Sequence, residues 1–139
     1  MGTVVNTAQA ALAAEHAAVY GYGVVGGRIT TSREAEARQA YDAHRARRDS
    51  LIRTLTDLGA QPVAAAAGYE LPFPVTDSAD ALKLAAFLED RVAGAYGDLV
   101  RASTGSLRQD AAAALRDAAV RAVRWSATSK PFPGLAERT

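Results

Sequence analysis

The 139-residue chain has no cysteine, which excludes disulfides, thiolate metal sites, iron–sulfur clusters and cysteine nucleophiles together. Any metal would have to be held by oxygen and nitrogen donors. It also lacks a charge of one sign. Sixteen basic and fifteen acidic residues leave a net charge of +1, so no overall field draws the chain to nucleic acid. No run of about 18 apolar residues occurs, and the start "MGTVVNTAQA" has neither a basic nor a compact apolar leader region. The expectation is a cytoplasmic protein with no membrane and no nucleic-acid partner. Lysine is scarce, only Lys83 and Lys130 against many arginines, as a GC-rich genome would give.

What is abundant is alanine and arginine, both strong helix formers, in a chain that is 49% hydrophobic. One all-α domain follows, long enough to bury a core unaided. Punctuation divides it into helices at about 4–25, 32–58, 78–103 and 106–128, with a tail at 129–139. Gly26-Gly27 reads as the stop of the first helix, and Thr31 with Glu34 or Ser32 with Glu36 as the cap of the second. The stretch 59–77, "GAQPVAAAAGYELPFPVTD", holds Pro62, Pro72 and Pro74 and is too long for a tight turn. Two helical hairpins joined by one long crossover describe a four-helix bundle with a single crossover. Nineteen residues at about 3.3 Å each span more than a 26-residue helix at about 1.5 Å per residue.

Bundle packing requires apolar residues spaced at three and four along each helix. The first helix gives Val5, Ala8, Leu12, Glu15, Val19, Tyr22 and Gly26, and the third gives Leu82, Ala85, Glu89, Val92, Tyr96 and Leu99. Each stripe is interrupted by one carboxylate. The second stripe, Ala37, Tyr41, His44, Arg48, Leu51, Leu55 and Leu58, carries three polar residues across its middle. The fourth reads either as Leu107, Ala111, Ala114, Ala118, Arg121 and Trp125 or through Leu115, Ala119 and Ala122. Glu15 lies 13 residues before Arg28 and His44 12 after Ser32, while Glu89 lies 14 before Ser103, and 14 or 15 after Ser106 brings the fourth helix to Val120 or Arg121. These residues therefore converge on one mid-bundle level. Two carboxylates buried there need a metal, a proton or basic partners.

Other features weigh less. His16 sits one step off the seam, as a flank or interface residue. The run "HRARRD" around Arg45, Arg47 and Arg48 is interleaved with Glu34, Glu36, Asp42 and Asp49 and reads as a solvated face. "GYGVVGG" follows no strand and precedes no Lys-Ser/Thr, so it is no phosphate loop. Tyr20, Phe73, Phe87, Phe132 and Trp125 are expected as core or crossover anchors. The two Pro-Phe-Pro segments are candidates to dock on a second subunit, and a homodimer is expected.

The segments "AALAAEHAAVYGYGVVGGR", "AYDAHRARRDSL", "GYELPFPV", "LAAFLEDRVAGAYGDLV" and "FPGL" resemble an uncharacterised ferritin-like domain family of GC-rich bacteria, over nearly the whole chain. The resemblance implies a ferritin-like four-helix bundle and no established activity. In the wider superfamily, two helices each supply a Glu and two supply Glu-x-x-His to a pair of metals. Glu15 and Glu89 match the single glutamates and His44 the second-helix histidine, but Tyr41 stands where the accompanying glutamate would be. On the fourth helix Arg121 and Arg124, or Asp117 and Arg121, replace the other pair. Two readings follow. The first is a non-catalytic, dimeric binding or scaffold module whose decayed metal site is a polar layer of Glu15, Tyr41, His44, Arg48, Glu89 and Arg121. The alternative is a redox or metal-handling protein in which Glu15, His44 and Glu89 hold one divalent metal, Fe, Mn or Zn.

Overall fold

The computed structural model describes residues 2–126, whose regular secondary structure is all helix, with no strand among them. Helix α1 spans Gly2–Arg28, α2 Glu34–Asp57, α3 Ser78–Ala102 and α4 Gly105–Ser126. A turn of 3₁₀ helix, Thr31–Arg33, leads into α2. Among the described residues no helix is long and apolar enough to cross a membrane. The tail at 129–139, with Phe132 and the second Pro-Phe-Pro, lies outside the described residues.

Gly26 and Gly27 do not stop α1. The helix continues to Arg28, and neither glycine has a positive φ. Burial explains the difference: Val25 and Ile29 continue the core-facing stripe beyond Tyr22. Two buried aliphatic side chains outweigh a helix-propensity cost of about 1 kcal/mol per glycine. Neither expected cap of α2 forms; Arg33 occupies that position, without a capping side chain, and its guanidinium pairs with Glu36 at 2.9 Å.

The other ends follow their sequence signals. Gly59, at φ +80°, ends α2, with its amide on the Thr56 carbonyl and the Ala60 amide on that of Leu55. That pair of bonds is the Schellman arrangement, and it satisfies carbonyls the helix leaves open. Asp77 caps α3 by accepting from the Asp80 amide at 2.8 Å, while the Asp80 carboxylate accepts from the Thr76 amide and hydroxyl. Those bonds from Thr76 hold the Asp80 carboxyl below its ordinary pKa.

Helix α1 packs on α2 and α3, and α3 on α4. The segment between α2 and α3 lies along α1. Gln9 bonds the Gln61 carbonyl and the Val63 amide, His16 bonds the Val63 carbonyl at 3.0 Å, and Tyr20 packs at a tilt against Tyr69. Farther on, Phe73 meets Phe87 of α3 edge to face. His16 is thus a buried anchor for the connection, and Tyr20, Phe73 and Phe87 are anchors as expected.

The interior divides into two apolar clusters. One gathers Leu12, Leu55, Val92, Leu99 and the alanines 8, 111, 114 and 118, so all four helices contribute. The other gathers Val25, Ile29, Leu84, Leu88 and Trp125. Fully buried polar groups lie between them.

A candidate polar site at the centre of the bundle

Glu15, His44 and Glu89 are each 0–1% exposed and are brought together as their positions along the helices require. The imidazole of His44 lies between the carboxylates, Nδ1 2.5 Å from Glu15 Oε1 and Nε2 2.9 Å from Glu89 Oε2. Burial alone disfavours its charged form, but the hydrogen bonds to Glu15 and Glu89 and their negative charge outweigh that, and the pKa rises to about 9. At neutral pH His44 is therefore an imidazolium that donates from both ring nitrogens.

Two tyrosines complete the layer. Tyr96 donates to Glu15 Oε2 at 2.7 Å, and Tyr22 donates to Glu89 Oε2. Their spacing is the same on both helices: Tyr22 is seven residues after Glu15 and Tyr96 seven after Glu89. Seven residues make two turns and return to the same face. Because α1 and α3 run antiparallel here, each glutamate meets the tyrosine of the other helix, and the two halves are related by an approximate two-fold through His44. Burial, then the adjacent carboxylate, raises both phenol pKa values well above 10, so both hydroxyls stay donors.

The fourth helix breaks this symmetry. Trp125 Nε1 donates to the Tyr22 hydroxyl at 2.9 Å, and the Tyr22 ring stacks on His44 with centroids 5.5 Å apart. Arg121, 23% exposed, places NH1 3.7 Å from Glu89 Oε1, and that oxygen is buried without a hydrogen bond. Glu15 thus has one donor on each oxygen, whereas Glu89 takes two on one oxygen and none on the other. With Arg121 included, two carboxylates face two cations.

Tyr41 and Arg48 do not join the layer. On α2 the buried positions are Ala37, Ala40, His44, Leu51 and Leu55, so the seam runs four residues before His44, at Ala40. Tyr41 is half-buried between the guanidinium groups of Arg38 and Arg45, at 6.0 and 5.6 Å from its ring centroid. Arg48 pairs with Asp49 at the surface. A long polar side chain on the seam's edge finds water more cheaply than a buried partner. In the sequence Tyr22, Tyr96 and Trp125 fit as apolar stripe positions, and the one signal of a polar role is the repeated Glu-to-Tyr interval, which marks two of them.

Among the described residues no group of three or more His, Asp or Glu side chains is arranged to hold a metal ion. The layer can hold a proton tightly, fix the helices in register and present one open carboxylate oxygen beside Arg121.

The fold is similar to the crystal structure of a conserved hypothetical protein, rv2844, from Mycobacterium tuberculosis, with 40% sequence identity, a TM-score of 0.87, and 91% of this chain and 98% of that one covered. No curated protein matches. A family model matches residues 7–137, and the chain belongs to that family, described as "Domain of unknown function (DUF4439)".

Proposed function

We propose that this protein is a ferritin-like bundle that works as a non-catalytic, dimeric binding or scaffold module, its di-metal position replaced by a salt-bridged layer. The arrangement of His44 carries the reading. Both its ring nitrogens point at carboxylate oxygens, so in this geometry neither offers a lone pair to a metal shared with Glu15 and Glu89. The donors do not fit a metal held between them. Hydrogen bonds from Tyr22 and Tyr96 further occupy the carboxylates. The antiparallel order of α1 and α3, with a long connection laid along α1, supports the single-crossover topology.

Elemental analysis after expression in Fe-, Mn- and Zn-replete medium tests the reading. Below about 0.2 metal per chain is expected, since a half-complete ligand set binds weakly. Near-stoichiometric metal, lost in Glu15→Gln, would overturn it in favour of a reduced metal site of Glu15, His44 and Glu89. Light scattering at tens of micromolar tests the dimer, and a particle of only 14.5 kDa would count against it.

A further inference from the structure

A cleft of about 710 Å³ opens between α1 and α2, within the size range of small-molecule sites. Its α1 wall contains Gly23 and Gly26, and a Cβ at either would meet nothing within 4 Å. That wall is bare backbone, open to the flat face of a ring. Buried Tyr22 also lines the cleft. The α2 wall presents Glu34, Arg38, Tyr41 and Arg45. Tyr41 stands between the two arginines. Arg38 is partly countered by Asp42 at 3.7 Å, whereas Arg45, its guanidinium over the Tyr41 ring in the cleft wall, has no ion pair among the described residues. Glu34 lies eleven residues from Arg45, about 16 Å along the helix, toward the opposite end of the cleft.

From this we infer that the cleft binds a planar aromatic acid. Its ring lies against the glycine wall beside Tyr41, its phosphate or carboxylate meets Arg45, and an amino or hydroxyl group on the ring points along the cleft toward Glu34. Guanidinium groups suit both oxyanions, and the aromatic walls suit the ring. The cleft borders the central layer at Tyr22 but is not lined by Glu15, His44 or Glu89, and does not depend on whether that layer holds metal. Tyr22 is shared, so an occupied cleft would press on a residue that bonds Glu89.

The test is a titration of the full-length protein, followed by backbone amide NMR, with two planar acids, adenosine 5′-monophosphate and 4-aminobenzoate. Adenosine and inorganic phosphate are the controls. At least one acid is expected to shift the amides of Gly23 and Gly26 at millimolar concentration or below, more tightly than either control; which acid does so distinguishes phosphate from carboxylate. Arg45→Glu should weaken that binding at least about tenfold, the worth of a charged hydrogen bond. Gly26→Leu, at an exposed helical position with open space above it, should fold normally by circular dichroism and block the cleft. No shift with either acid, equal binding by inorganic phosphate, or binding unchanged in folded Gly26→Leu would each overturn the proposal.

Discussion

Glu15 and Glu89 occupy equivalent places on two antiparallel helices, share one imidazolium, and are each bonded by the other helix's tyrosine. Their surroundings nevertheless differ. Glu15 accepts one hydrogen bond on each oxygen, while Glu89 accepts both of its bonds on Oε2 and leaves Oε1 facing Arg121 beyond hydrogen-bond range. The difference comes from α4, which supplies Trp125 and Arg121 to one side only. An identical Glu-to-Tyr interval thus yields one closed carboxylate and one with an acceptor to spare. Local spacing sets the pairing, and the helix outside the pair sets how completely it is satisfied.

Removing the shared group should have the largest effect. His44→Leu leaves two buried carboxylates without their common cation, and a loss of about 3 to 5 kcal/mol in denaturant unfolding is expected. A loss under about 1 kcal/mol would mean that the layer is not held by charge. Raising the pH removes the same charge without mutation. The folded pKa of His44, about 9, lies above its ordinary value of 6.5. Its contribution is therefore complete below pH 6.5 and is lost as pH rises through 9, by roughly 3 kcal/mol. Unfolding free energy measured across that window should fall in the native chain and stay level in His44→Leu, if no other group titrates with it.

The asymmetry is tested directly by Glu15→Gln and Glu89→Gln. The first places an amide where both oxygens accept bonds and should cost about 1 to 3 kcal/mol. Glu89→Gln can put its NH₂ at the unbonded Oε1 position and should cost less; equal losses would show that Glu89 Oε1 gains a donor in solution. The smallest effect is expected from Arg121→Gln, under about 1 kcal/mol by the same measurement, because its 3.7 Å contact is partly open to water. A larger loss would place Arg121 in hydrogen-bond contact with Glu89.

Much of the layer is legible in the chain because helix counting is reliable over a few turns. Glu15, His44 and Glu89 interrupt apolar stripes at matching distances from their turns, and burial follows. The roles of Tyr22 and Tyr96 are not legible in that way. Each tyrosine fits its stripe as an apolar residue, and its hydroxyl acquires a meaning only when antiparallel packing brings the opposite glutamate to it. Tyr41 and Arg48 fail for another reason. Positions three and four before His44 both border the seam, and the packing of Ala40 rather than Tyr41 against the neighbouring helix turns α2 enough to send both long side chains outward. Gly26-Gly27 misleads as a stop because propensity is weak beside the burial of Ile29. Arg121, ambiguous between two stripes, lies at the boundary: it reaches Glu89 and still touches solvent.

The placement of the layer between two alanine- and leucine-rich clusters bears on how the helices find their alignment. Small apolar side chains make a smooth interface on which one helix can slide past another by a turn, about 5.4 Å, and still bury similar area. At the layer such a slide would break bonds from Glu15, Glu89, Tyr22, Tyr96 and Trp125 together and strand charge in the interior. The central polar groups thus act as an indexing pin: the alanines hold the helices close, and the pin selects the one alignment in which they stay.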